Sequence, residues 1–192
     1  STFLSSNFDL DRDIPLAFVG SRQGSPRFRF VHWIPVLNRL PWVYPKKAFF
    51  KRIEKAFPFI QAYGSGWSNG RIDDAKIPEL YLRTLLGINV HNSLGPINGR
   101  LYDLAAFGVC QICDNKNNLY HVFDEGKEIV GFDSIADCVD KIRFYLAHSQ
   151  EARDIGDAAQ ARYLQNYTMD AIWTRFFIDV EFNIAAIVDK KL

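Results

Sequence analysis

Residues 87–113 read GINVHNSLGPINGRLYDLAAFGVCQIC, and this stretch decides the fold. It opens on a short apolar run, residues 87–91, expected to be a strand. A loop holding Gly95, Pro96 and Gly99 follows, then a helix over about 99–107 and a second strand over 109–113. A strand joined through a helix to another strand is the unit of a parallel sheet. The same alternation extends in both directions. Upstream lie a strand at 14–19 ended by Gly20-Ser21, a helix at 46–57 with Phe49, Phe50, Ile53 and Phe57 at helical spacing, and a strand at 59–63 broken by Gly64-Ser65-Gly66. A short helix at 78–86 follows, with Pro78 suited to its first turn. Residues 26–45 are irregular, aromatic and basic, and are punctuated by Pro35, Pro41 and Pro45.

Downstream, residues 128–132 form another expected strand. Ser134 and Asp137 make a capping signal for a helix that carries Ile135, Cys138, Val139, Ile142, Tyr145 and Leu146 on one face. Two further helices are expected at 150–166 and 169–188. The last bears a stripe of Ile172, Trp173, Phe176, Phe177, Val180, Ile184 and Ile187. The expected architecture is α/β: a Rossmann-like, doubly wound parallel sheet with C-terminal helices, one domain over 14–192 behind a linker at 1–13.

Composition narrows the function. The 192 residues are 48% hydrophobic and 15% aromatic, enough for a real core. A net charge of +1 sets up no field toward nucleic acid or anionic membranes. Three cysteines make no disulfide framework and point to a reducing, cytoplasmic setting. No apolar run reaches membrane-spanning length, so no integral membrane segment is expected. The N-terminus has neither the basic nor the apolar region of a signal peptide, and a start at Ser1 is expected of an excised fragment.

Open parallel sheets bind ligands where strands run out into loops, and three loops here carry suitable residues. The first holds Gly20, Ser21, Arg22, Gly24, Ser25 and Arg27. Its glycines let backbone approach an anion, and its arginines present forked donors. A plain solvated turn reads the same way. The dinucleotide fingerprint is incomplete, which disfavours NAD. The second, Gly64 to Gly70, encloses Trp67, either a stacking platform for a base or sugar or a side chain packed over its own loop. The third runs from His91 through Asn92, Asn98 and Gly99 to Arg100 and Asp103. A helix start favours phosphate, with Arg100 in the first turn and Asp103 one turn deeper to accept ribose hydroxyls. An ordinary i,i+3 surface pair fits that spacing equally. Cys110 and Cys113 fall on opposite faces of a strand and read as core thiols. The four histidines lack ligand spacing, and Asp9-Leu10-Asp11-Arg12-Asp13 precedes a strand instead of ending one, so no metal site is expected. The basic, aromatic region 27–55 raises nucleic-acid binding, against which stand Glu54 and phenylalanines spaced for a core.

Longer patterns resemble a known family. Phe18-Val19-Gly20-Ser21, Tyr63-Gly64-Ser65-Gly66-Trp67, residues 88–92, Arg100-Leu101-Tyr102-Asp103 through Gly108, residues 122–132, and the run 137–167 with Tyr167-Thr168 at its end resemble, in order and spacing, the C-terminal domain of group-1-type glycosyltransferases of the spore-maturation-like branch. The resemblance implies half of a GT-B fold, two Rossmann-like domains facing across a cleft. This half would bind the nucleoside diphosphate sugar donor through Gly20, Ser21, Arg27, Gly64, Trp67, Asn92, Asn98, Gly99, Arg100 and Asp103. Transfer would need neither metal nor cofactor, and a glycan or other acceptor would come through an N-terminal domain outside these residues. The catalytic base is not assigned. Two positions depart from the family: the ribose carboxylate is Asp103 where relatives carry Glu, and Gly95 stands where the wider superfamily has a second Glu. A non-catalytic sugar-nucleotide or protein-binding module of the same fold is the alternative. The apolar stripe of the last helix is expected to be partly exposed, or covered by a second copy in a homodimer.

Overall fold

A computed structural model describes residues 12–22, 46–91, 98–115 and 119–189, with side chains up to residue 180 in the last segment. Five parallel strands, β1 (Ile14–Val19), β2 (Gln61–Tyr63), β3 (Thr84–Asn89), β4 (Cys110–Asp114) and β5 (Val130–Phe132), lie in the order β2-β1-β3-β4-β5. The helices are α1 (Lys46–Ala56), α2 (Ile77–Leu82), α3 (Arg100–Ala106), α4 (Ile135–Ala147), α5 (Ser149–Asn166) and α6 (Met169–Asp189). The chain leaves β1 toward β2, then crosses back to place β3 on the other edge of β1. The order therefore reverses between β1 and β3, and the crevice above their C-terminal ends is the position at which such sheets bind ligands.

Both faces are covered, as a parallel sheet requires. On one, Leu16, Phe18, Leu86, Ile88, Ile112 and Phe132 pack against Phe49, Phe50 and Ile53 of α1 and Cys138 and Ile142 of α4. On the other, Ile14 and Ala17 meet Leu80 and Tyr81 of α2 and Leu104 of α3. Cys113, Leu101 and Phe123 continue that layer. Cys110 and Cys113 belong to different layers, as strand alternation requires, and all three cysteines are buried and outside any disulfide.

Several boundaries move. The expected helix 78–86 ends at Leu82, and residues 84–89 are strand. Every residue of β3 is buried because it sits between β1 and β4. A strand covered on both faces loses its alternation, and its leucines read equally well as helix. Strand β2 begins at Gln61 and not 59, because Ile60 N–H closes a turn on Phe57 O at 3.1 Å. Strand β5 starts at Val130, since Glu128 lies in a turn where its carboxylate accepts from Asp124 N–H at 2.9 Å. The cap of α4 forms as its sequence suggests: Ser134 Oγ accepts from Asp137 N–H at 3.0 Å, and Asp137 reaches back to Asp133 N–H at 2.9 Å.

Arg12 and Asp13, read as the end of a linker, are attached to the domain. Arg12 donates to Thr84 O at 2.5 Å and Phe107 O at 3.0 Å, and Asp13 pairs with Arg83. Residues 1–11 and the irregular stretch 26–45 lie outside the described residues. Along α6, Met169, Ile172, Trp173, Phe176, Phe177 and Ile178 are exposed, so the apolar stripe is exposed from Ile172 to Phe177. Among the described residues no helix is long and apolar enough to cross a membrane.

Candidate functional site

The crevice is built by interlocking the ends of β1, β2 and β3. Gly20 N–H donates to Tyr63 O at 2.8 Å and Arg22 N–H to Ser65 O at 2.9 Å, so the first loop runs on beside the second. Gly64 N–H closes its own loop on Gly70 O at 2.6 Å. The contact between the loops admits nothing larger than hydrogen: at Gly64, φ is +129° and a Cβ would lie 2.3 Å from Gly20 O. Beside this junction is a cleft of about 330 Å³ lined by Gly20, Ser21, Gly64, Ser65, Arg71 and Asp74, among others. Gly20, Ser21 and Gly64 are thus brought together as expected. Arg71, exposed on the rim, went unread because it follows a turn and belongs to no pattern.

Trp67 is not an exposed platform. Its ring is buried, 5.0 Å from Phe50 and 5.6 Å from Phe18, and its Nε1–H donates to Gly20 O at 2.8 Å. Arg22 covers the ring at 5.3 Å and pairs with Glu54 of α1. Of the two readings the sequence left open, packing over its own loop is the one the structure takes: the indole is the post on which the first loop rests. Of the basic, aromatic region, Phe49, Phe50 and Ile53 are fully buried in the core, and Arg27 lies outside the described residues.

Arg100 also differs from a solvated side chain. From the first turn of α3 it turns inward across the sheet ends, donating Nε–H to Val19 O at 2.8 Å and a terminal N–H to Asn89 Oδ1 at 3.2 Å, with Phe18 4.7 Å below the guanidinium. Burial lowers its pKa, partly offset by the fields of Tyr81, Asp103, Cys113 and Asp114. It joins the two strands that flank the switch point, and a Cβ at Gly20 would lie 2.3 Å from its terminal nitrogen. The surface-pair reading fails, since no ion pair joins Arg100 to Asp103 among the described residues. Asp103 is exposed. Partial desolvation raises its carboxyl above the usual range, against the pull of Arg100.

Asn98 caps α3. Its Oδ1 accepts from Leu101 N–H at 3.2 Å while its Nδ2–H donates to Asn89 Oδ1 at 2.8 Å. Asn89 in turn donates to Gln111 Oε1 at 2.7 Å, and Gln111 to Leu101 O at 3.2 Å. A buried polar network thus fixes the start of α3 on β3 and β4. Its cost is that Leu101 N–H is already used, so the helix start offers an anion fewer donors than its sequence implies. Gly99 stands with open space where a side chain would be. Asn92 lies outside the described residues.

One constellation has no sequence signature. His91, just past β3, and Asp114, the last residue of β4, meet through the sheet register: Nδ1 lies 2.6 Å from Oδ1, and His91 N–H donates to the same carboxylate at 3.1 Å. With Cys113 they form a trio whose ligand-type atoms lie within 4.8 Å of one another. A separation of 2.6 Å is that of a hydrogen bond. Two ligands about 2.0–2.2 Å from a tetrahedral zinc stand roughly 3.3 Å apart, so the trio is arranged as a hydrogen-bonded cluster.

A family model described as glycosyl transferase-like matches residues 39–177, most of the chain and all of β2 through α5. The chain belongs to the glycosyl transferase-like family. No curated protein sequence matches it. Solved structures agree on the fold of this glycosyl transferase-like chain. Anabaena HepE, in complex with UDP and glucose, superposes with a TM-score of 0.61 at 13% identity, covering 88% of this chain and 48% of that one. Sucrose-phosphate synthase from Thermosynechococcus elongatus gives 0.58 at 14%, covering 92% and 47%. The C-terminal domain of the group 1 glycosyl transferase LpcC from Francisella tularensis gives 0.52 at 11%, covering 80% and 86%. The chain spans about half the length of the first two and most of the isolated domain.

Proposed function

We propose that this chain is the donor-binding half of a GT-B glycosyltransferase and that its crevice takes a nucleoside diphosphate sugar. The observation that carries the reading is the convergence of Gly20, Gly64 and Arg100 at the switch point between β1 and β3. Gly20 and Gly64 pack against one another and against Arg100 and carry no side chains of their own, and bare backbone at strand ends is what close approach to a diphosphate needs. In this reading Ser21, Gly99 and the backbone of the two glycine loops contact the diphosphate, with Arg71 on the rim. Arg100 gives positive potential from below, and Asp103 accepts the ribose. Arg27 and Asn92 keep the donor-binding roles that the family resemblance implies. HepE, which shares the fold, is described with UDP and glucose bound.

Transfer would be metal-independent: positive potential from Arg100 and Arg71 would stabilise the leaving diphosphate, an electrostatic role. The acceptor, a glycan or another hydroxyl compound, would be held by an N-terminal domain, with the exposed stripe of α6 covered by that domain or by a second copy. Buried thiols at Cys110, Cys113 and Cys138 suit a cytoplasmic site of action. The test is calorimetric titration with UDP, GDP and ADP, each with and without a chelator. Binding of one of them with equal affinity in both conditions supports the reading. Strict dependence on Mg²⁺ or Mn²⁺, or no binding by any, rejects it.

A further inference from the structure

The donor site as drawn leaves one buried group without a task. His91 is nine-tenths buried, its Nδ1 is engaged by Asp114, and among the described residues its Nε2 has no hydrogen-bond partner. A carboxylate only accepts, so Nδ1 carries the proton in that pair. Buried polar atoms are nearly always satisfied, and one that is not calls for an explanation. The position supplies one. His91 follows β3 two residues after Asn89, the residue that anchors Arg100, and Asp114 is close enough to act on the charge of Arg100. The unpaired nitrogen therefore belongs to the same C-terminal edge as the crevice.

We infer that His91 is a donor-contacting residue: with Nδ1–H fixed on Asp114, its Nε2–H donates to a phosphate oxygen of the bound nucleoside diphosphate. This rests on the donor-binding reading above and deepens it. The pair suits an anion better than a sugar hydroxyl. With a carboxylate on Nδ1 and a phosphate oxygen on Nε2, the ring donates to an anion on each side, and the proton that Nε2 needs is taken up from water as the diphosphate arrives. Among the described residues, the charged and titratable groups near the pair include Asp114 and Cys113 on β4 and, interacting with Asp114, Arg100 on α3 and Cys138 on α4. Asp114 is then a positioning residue, setting tautomer and ring angle as a carboxylate does behind a ligand-binding imidazole.

The test uses the ¹⁵N-labelled chain and follows the His91 ring nitrogens while uridine, UMP, UDP, UDP-glucose and inorganic pyrophosphate are added, with calorimetry in parallel. GDP and ADP replace UDP if it does not bind. The expected result is a shift of Nε2 with the diphosphate and with pyrophosphate, and none with the nucleoside. His91→Asn keeps a donor for Asp114 but lacks Nε2. It should melt near the parent, bind the nucleoside diphosphate at least tenfold more weakly, and leave nucleoside affinity unchanged. If a diphosphate binds while Nε2 stays still and His91→Asn keeps parental affinity, this inference is overturned and the donor-binding reading stands. A shift with UDP-glucose alone assigns the contact to the sugar and overturns the phosphate claim. Failure of every nucleoside diphosphate to bind rejects both. If His91→Asn is too unstable to assay, the ring shifts of the parent decide.

Discussion

Replacing Arg100 by alanine tests how the crevice is held together. The side chain donates to Val19 O and Asn89 Oδ1 and lies over Phe18. Hydrogen bonds involving a charged group are worth about 1.5–3 kcal/mol each, and the ring contact about 0.5–2 kcal/mol. Against the sum stands the desolvation the guanidinium no longer suffers, together with the rotamer freedom regained, and Arg100 keeps part of its surface in water. A net loss of roughly 2–4 kcal/mol remains, and at about 2–4 °C per kcal/mol for a domain of this size the melting temperature falls by about 4–16 °C. Arg100→Lys keeps the charge but not the fork that spans two strands, and should fall between parent and alanine. The assay is thermal unfolding followed by circular dichroism, repeated in urea to confirm that the cooperativity is unchanged. An alanine variant melting within about 2 °C of the parent would refute the brace and return Arg100 to the role of a spare surface cation.

Four further outcomes are expected. Gly64→Ala forces a Cβ onto Gly20 O at a backbone angle that L residues avoid, so it should lower the melting temperature and abolish nucleoside diphosphate binding together; a variant that binds normally would show that the loops are not interlocked. Asp103→Asn should weaken nucleosides and leave pyrophosphate binding unchanged in competition calorimetry, because the ribose contact needs an acceptor on both oxygens. Burial pushes the Cys110 thiol up to about 12 and raises Cys138 as well, so neither should alkylate with iodoacetamide at mildly alkaline pH until the chain is unfolded; rapid modification of the folded protein, read by mass spectrometry, would contradict the core placement. The chain assayed alone should bind donor without transferring sugar, while a longer polypeptide carrying an acceptor domain turns over. Transfer by these 192 residues would overturn the division of labour.

The parallel sheet was legible because β1, α1, α4 and α5 advertise themselves by period, cap and apolar face. Strand β3 was harder to bound, since a central strand covered on both sides shows no alternation. At the site, sequence spacing brought Gly20, Ser21 and Gly64 to one place, because glycines at strand ends mark where backbones approach. For Trp67 it left two readings open, and the indole takes the packed one; Arg100, read as a cation at a helix start, turns inward to join β1 and β3, because a side chain's direction depends on what the sheet order sets beside it. The pairing of His91 with Asp114 depends entirely on the neighbouring of β3 and β4, 23 residues apart in sequence, and no local pattern encodes it.

The central claim is that the ligand site lies over the C-terminal ends of β1 and β3. The most direct measurement is a crystal structure of the chain grown or soaked with UDP, or with whichever nucleoside diphosphate binds in calorimetry. The account predicts the diphosphate against the Gly20 and Gly64 loops, with Asp103 within hydrogen-bond reach of the ribose. A nucleotide bound at the opposite, N-terminal end of the strands, near Arg12 and Phe107, or on the exposed face of α6, would contradict it.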